Sequence, residues 1–142
     1  MILNPDVWGP HYWFVFHTIA LGYPNTPNET CRRKYYDLIN NIPLIIPSVS
    51  LGNMFADLLD KYPVSPYLDS QESFSKWVHF IHNKINAILG KREIPIDDAM
   101  KMYSRHYIIN RDVAVKKRSI KLYIGILEVL LLLYISYKLY IL

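Results

Sequence analysis

A chain of 142 residues is long enough for one compact domain and a short appendage, and at 51% hydrophobic residues it can build a substantial core. Its single cysteine, Cys31, excludes an intrachain disulfide and with it the small disulfide-stapled folds, and leaves no cysteine-based zinc site. The net charge of +4 could serve nucleic acid or an anionic membrane surface, but it is local. Arg111, Lys116, Lys117, Arg118 and Lys121 crowd just before a hydrophobic tail, which favours a juxtamembrane cluster over a solubilising charge run, and no nucleic acid is expected.

In chain order the pattern is helix after helix, with little strand-like alternation. Pro10 suits the first turn of a helix running to about Leu21, since its missing N–H is not needed there. That segment is apolar almost all round, from Tyr12 to Phe16, as expected of a helix central to a core. Thr26-Pro27-Asn28-Glu29 reads as a capping box that starts a second helix, which Pro43 ends near Ile42. A third helix is predicted from Ser48 to Tyr62, with Leu51, Met54, Phe55, Leu58 and Leu59 at helical spacing. Asp69-Ser70-Gln71-Glu72 caps a fourth, which presents Phe74, Trp77, Val78, Ile81, Ile85 and Ile88 and stops at Leu89 before Gly90. A short fifth helix is predicted from Asp97 to about Tyr107. The fold class is therefore all-α: a four-helix bundle plus a short fifth helix.

From about Ile120 to Leu142 the chain becomes one long apolar run, interrupted by Glu128 and with Lys138 near its end. About 20 apolar residues cross a bilayer, and this run reaches that length if Glu128 is tolerated and Lys138 snorkels to the interface. The organisation predicted is a helical domain over residues 1–110, a basic linker over 111–121 and a transmembrane helix over 122–142. The competing reading of the tail is an interfacial or partner-binding helix. Met1 to Trp8 is too short and lacks the basic start of a signal peptide, so the domain is expected on the cytosolic side, with the basic cluster setting a single-pass, tail-anchored topology.

Three stretches in order carry a resemblance. The first is Trp8-Gly9-Pro10, leading through Trp13 to His17-Thr18-Ile19-Ala20 and then Tyr23-Pro24. The second is Phe74-Ser75-Lys76-Trp77, leading to His82-Asn83-Lys84-Ile85-Asn86. The third is Leu89-Gly90-Lys91. Together, over about residues 8 to 100, they resemble the Erv/ALR family of FAD-dependent sulfhydryl oxidases, in the form associated with viral and protist members. The resemblance implies a four-helix bundle with a short fifth helix that holds FAD at its mouth. It implies that Trp13, His17, Trp77, His82, Asn83, Asn86 and Lys91 line that site. Indole faces suit adenine or flavin rings, Asn and His supply hydrogen bonds, and Lys91 offers a point charge for the pyrophosphate. Taken singly, the two tryptophans could be core residues, and the two histidines satisfied buried ones.

Such an oxidase also needs a Cys-x-x-Cys pair beside the flavin, one thiolate attacking the ring and the other completing the disulfide. Counting from His17 at the family's spacing, the pair falls on Ser48 and Leu51, just after Pro47. A register from Pro43 gives Leu44 and Pro47 instead, and neither register contains sulfur. His79 and His82 are three apart, but no further ligand accompanies them at metal-site spacing, so no metal is expected. The resemblance thus implies a membrane-anchored relative that has lost dithiol oxidation and serves a structural or assembly role, in the manner of a capsid- or membrane-associated component of a large DNA virus particle. The rival is an active flavoprotein that borrows a thiol or another donor from a partner. The family commonly dimerises through its first two helices, which makes Tyr35, Tyr36 and Ile39 candidate homodimer contacts; a tyrosine cluster there could equally be core.

Overall fold

The computed structural model describes the backbone of residues 3–141 and the side chains of residues 3–107 and 118–137. Among these it is all-α, with five α-helices and one short 3-10 turn: α1 (Pro5–Leu21), α2 (Glu29–Ile45), α3 (Val49–Lys61), a turn at Ser65–Tyr67, α4 (Gln71–Ile88) and α5 (Ile96–Ile141). By its contacts the chain divides into two units between Met100 and Lys101.

In the first unit, each of the four bundle helices begins at a side chain that satisfies an orphan backbone N–H. Asn4 accepts from Asp6 N, Asn28 from Cys31 N, Ser48 from Leu51 N and Ser70 from Ser73 N. Two starts differ from the sequence reading. α1 begins at Pro5 rather than Pro10, because Asn4-Pro5-Asp6 supplies a cap, a proline at the first helical position and an acidic first turn, which leaves Pro10 inside the helix. α2 is capped by Asn28 rather than Thr26, and it runs through Pro43 to Ile45 instead of stopping at Ile42.

α1 lies against α4 and α2 against α3. The α1–α4 pair is antiparallel: Gln71 Nε2, at the start of α4, donates to Leu21 O at the end of α1 (3.2 Å), while Lys91, just past the end of α4, pairs with Asp6 at the start of α1 (3.1 Å). The core is built from Ala20, Ile39, Ile42, Phe55, Leu58, Leu59, Phe74, Trp77, Val78 and Ile81. Burying Phe74, Trp77, Val78 and Ile81 along one stripe of α4 stabilises the bundle by roughly 1.5–3 kcal/mol per large apolar side chain. Closest approach falls at Gly52, where a Cβ would stand 2.6 Å from Pro43 O, so α2 and α3 can meet only at a residue without a side chain.

α1 is less central than its apolar sequence suggests. Only His17 and Ala20 are buried, Val7 and Val15 are exposed, and the aromatic side chains between are half-buried. Ile39, offered above as a dimer contact, is a core residue at 3% exposure, and Tyr35 packs edge-on against Tyr23 and Phe74. Of the three proposed contacts only Tyr36 is exposed.

The second unit is the greater part of α5. The short fifth helix and the tail are one continuous helix, and the basic stretch 111–121 lies within it. No glycine or proline stands between Pro95 and Gly125 to stop it. Arg118 and Lys121 are exposed; Arg111, Lys116, Lys117 and Lys138 lie outside the described side chains, as does Leu142 altogether. Arg118–Tyr137 is long and apolar enough to cross a membrane, with a mean hydropathy of 1.8 and no part buried.

Candidate functional site

The antiparallel α1–α4 pair brings the middle of α1 beside the second half of α4, and there several of the sequence-predicted residues gather. Trp13 stacks on His82 with ring centroids 3.9 Å apart and planes 8° from parallel. His17 Nε2 lies 3.2 Å from His82 Nδ1, one ring N–H donating to the bare nitrogen of the other. Phe16 meets the Trp13 ring edge-on. Asn86, one turn beyond His82, is 8% exposed. Lys91 stands at the rim, half-exposed and paired with Asp6.

Burial sets the electrostatics. His17 is 1% exposed, and burial, reinforced by His82 and then His79, holds its pKa at about 3. Burial followed by the effect of His79 holds His82 at about 4, and burial also pushes His79 down. The cluster is therefore a set of neutral imidazoles at neutral pH, each with one donor and one acceptor nitrogen.

Two predicted site residues do something else. Trp77 is 2% exposed, stacks on Phe74 and donates its indole N–H to Tyr62 O at 3.0 Å, so both its faces and its polar handle belong to the core. The Asn83 amide clamps one residue of the α4–α5 loop from both sides. It donates to Ile94 O (2.8 Å), accepts from Ile94 N (3.0 Å) and lies 3.2 Å from His79 Nε2. Asn83 thus fixes the course of the loop that carries Lys91.

Sequence reasoning passed over Ser75 as a site residue, and treated His79 only as a possible metal ligand. Both are buried at 7% exposure, and Ser75 Oγ and His79 Nδ1 have no hydrogen-bond partner among the described residues. With His82, Asn83 and Asn86 they form a polar stripe along α4, at the three- and four-residue spacing that mirrors its apolar stripe; that spacing was the available signal. Tyr12 was missed too: its hydroxyl donates to Ile45 O at 3.0 Å and ties the α2–α3 turn to the aromatic part of α1.

That turn carries the positions where a dithiol was sought. Ser48 caps α3, its Oγ accepting from Leu51 N at 3.4 Å, and Leu51 is half-buried. Cys31 lies in the first turn of α2, so fourteen helical steps, about 21 Å of rise, separate it from Ile45. No group of three or more metal-ligating side chains occurs among the described residues.

A stacked indole, neutral imidazoles, a buried amide, two unpartnered buried polar atoms and a cation at the rim make a donor set suited to a heteroaromatic nucleotide. The fold is a helical bundle of the class found in the flavin-linked sulfhydryl oxidases. The chain belongs to the Erv1/Alr family, whose sequence profile matches residues 10–117. It is 32% identical over 118 residues to the "Probable FAD-linked sulfhydryl oxidase" of Acanthamoeba polyphaga mimivirus, covering 82% of this chain and 78% of that one. It is 26% identical over 98 residues to the FAD-linked sulfhydryl oxidase of African swine fever virus, covering 69% and 81%. The fold matches that of the FAD-binding domain of Erv1 from Saccharomyces cerevisiae with a TM-score of 0.65 at 22% identity, covering 71% of this chain and 94% of the other. FAD is the cofactor the relatives carry, and the donor set described above fits it.

Proposed function

We propose that this chain is a membrane-anchored, FAD-binding member of the family that has lost dithiol oxidation and serves a structural or assembly role, in the particle of a large DNA virus. The observation that carries the reading is the α2–α3 turn. Where a flavin-linked oxidase needs two thiols, a serine hydroxyl is spent on capping a helix and the second position is leucine. Neither supplies a thiolate, and Cys31 sits at the far end of α2. In this reading Trp13, His17, His82 and Asn86 hold the rings and ribose of FAD, and Lys91 faces its pyrophosphate. Trp77 and Asn83 support them from the core and the α4–α5 loop. When bound, FAD supplies two-electron redox chemistry; the chain's own residues bind it, orient it and exclude water.

The tail inserts as a single transmembrane helix with the helical domain on the cytosolic side, consistent with the apolar Arg118–Tyr137 segment and the basic residues before it. The viral setting rests on the viral relatives, and the partners would be capsid or membrane proteins of the particle. A homodimer through the first two helices would use the exposed Tyr36 and Leu38 of α2.

The intact cluster of Trp13, His17 and His82 favours one second reading, an active flavoprotein whose thiol or other donor comes from a partner. The experiment is to purify the full chain in detergent, record its visible spectrum and follow oxygen consumption with a dithiol. A yellow protein without turnover is expected. A colourless protein excludes FAD retention in either reading, and a yellow protein that oxidises dithiol overturns the loss of activity.

A further inference from the structure

Within the apolar segment Arg118–Tyr137, beyond the basic residues at its start, Glu128 is the one side chain of the Asp, Glu, Lys or Arg type. By helical rise it lies about 15 Å from Arg118 and about 14 Å from Tyr137, the middle of the segment. It is exposed, as are Ile124, Leu131, Leu132 and Ile135 around it. An ionisable group at the centre of a bilayer is costly, and such groups face another protein surface where a polar group meets them.

Gly125 stands one turn before Glu128 on the same helix face, and nothing lies within 4 Å of where its Cβ would be. A residue that small lets two helix backbones approach closely in lipid, where close contact and interhelical hydrogen bonds drive association. A foreign helix would have to bring a polar side chain to the same depth. A second copy of this chain, inserted with the same topology, carries Glu128 at that depth of necessity, with Gly125 beside it. A parallel pair about a twofold axis along the membrane normal sets carboxyl against carboxyl, and the two hydrogen-bond when a proton is present to be shared.

We infer that the face formed by Gly125, Glu128 and Leu132 is the contact through which two copies of this chain associate in the membrane, in parallel, joined by a hydrogen bond between their Glu128 side chains. The inference rests on the membrane-spanning reading of the tail, and it is separate from any contact made by the helical domain.

The test uses the full chain in phosphatidylcholine vesicles, labelled with donor and acceptor dyes, with energy transfer followed as lipid is added. Glu128→Leu is expected to weaken association about tenfold, while Glu128→Gln, which keeps the hydrogen bond, retains it. Equal association of Glu128→Leu and the native chain overturns the inference. A position-specific measurement guards against contacts made elsewhere: in a Cys31→Ser background, oxidation should cross-link Ile124→Cys and Leu132→Cys but not Leu130→Cys, which lies on the opposite face. Equal cross-linking at Leu130→Cys and Leu132→Cys also overturns it. Extraction with alkaline carbonate separates the two failures. A chain released from the vesicles refutes the span and the inference together; a chain retained, with Glu128→Leu unaffected, refutes the inference alone.

Discussion

Acidification should destabilise the helical domain between pH 7 and pH 5, because two neutral imidazoles are buried against each other. His17 is held at about 3 and His82 at about 4, both below the ordinary 6.5 that each regains on unfolding. A folded-state pKa below the unfolded value means the unfolded chain binds more protons. The stabilisation is therefore full above pH 6.5 and is lost as pH falls from there toward 4. With those values, moving from pH 7 to pH 5 costs about 2 kcal/mol at each of the two histidines. The joint loss is at most about 4 kcal/mol, a large share of the roughly 5–15 kcal/mol that holds a typical domain together. Urea unfolding of the full chain in detergent, followed by tryptophan fluorescence at pH 7, 6 and 5, measures it; flavin absorbance in the same samples shows whether cofactor occupancy is constant. His82→Phe, which keeps a ring to stack on Trp13, should remove about half of the pH dependence. A midpoint that does not move between pH 7 and pH 5, or a variant with the native pH dependence, would refute the reasoning.

Gly52→Ala places a methyl group 2.6 Å from the Pro43 carbonyl, a backbone atom that cannot swing aside, and should cost about 1–3 kcal/mol, read as a lower Tm. Asn83→Ala leaves both backbone groups of Ile94 without their partner; a loss of about 1–3 kcal/mol is expected, with faster hydrogen exchange at Ile94 N and weaker flavin binding. Asn83→Asp, which keeps the acceptor for Ile94 N and loses the donor to Ile94 O, should fall between. The double variant Ser48→Cys with Leu51→Cys restores a Cys-x-x-Cys at the start of α3, one helical turn apart, and should gain oxygen-dependent dithiol oxidation in an oxygen electrode. No gain in a yellow double variant would mean that the turn does not face the flavin.

Much of the bundle was legible because local signals agreed. Ser70 capping α4, the stripe of Phe74, Trp77, Val78 and Ile81, and Gly90 at φ 67° all say the same thing about one helix. The misreadings arose where two local signals competed. Pro10 and Asn4-Pro5 both offer a start for α1, and the cap with an acidic first turn wins. Pro43 suggested an end to α2, yet the helix passes through it to Ile45, and Gly52 lets α3 close against the Pro43 carbonyl. The length of α5 follows from the lack of any breaker between Pro95 and Gly125, an absence easily overlooked when composition shifts from basic to apolar.

The candidate site could be proposed from the sequence as a set of residues, but not as an arrangement. Trp13 and His82 are far apart in sequence, and only the antiparallel docking of α1 on α4 stacks them. The division of labour, with Asn83 spent on Ile94 and Trp77 on Tyr62, depends on where loops return, which no periodicity encodes. The lack of a Cys-x-x-Cys pair, by contrast, needed no structure, since the chain has a single cysteine. The fold adds that Ser48 is committed to capping α3 and that Cys31 is at the other end of α2.

The central claim is a flavin site without its dithiol. It is tested most directly by one sample of the purified full chain, scanned for flavin absorbance and then supplied with a dithiol in an oxygen electrode. The account predicts bound flavin and no oxygen consumption above the buffer rate; dithiol-dependent oxygen consumption by the native sequence would contradict it.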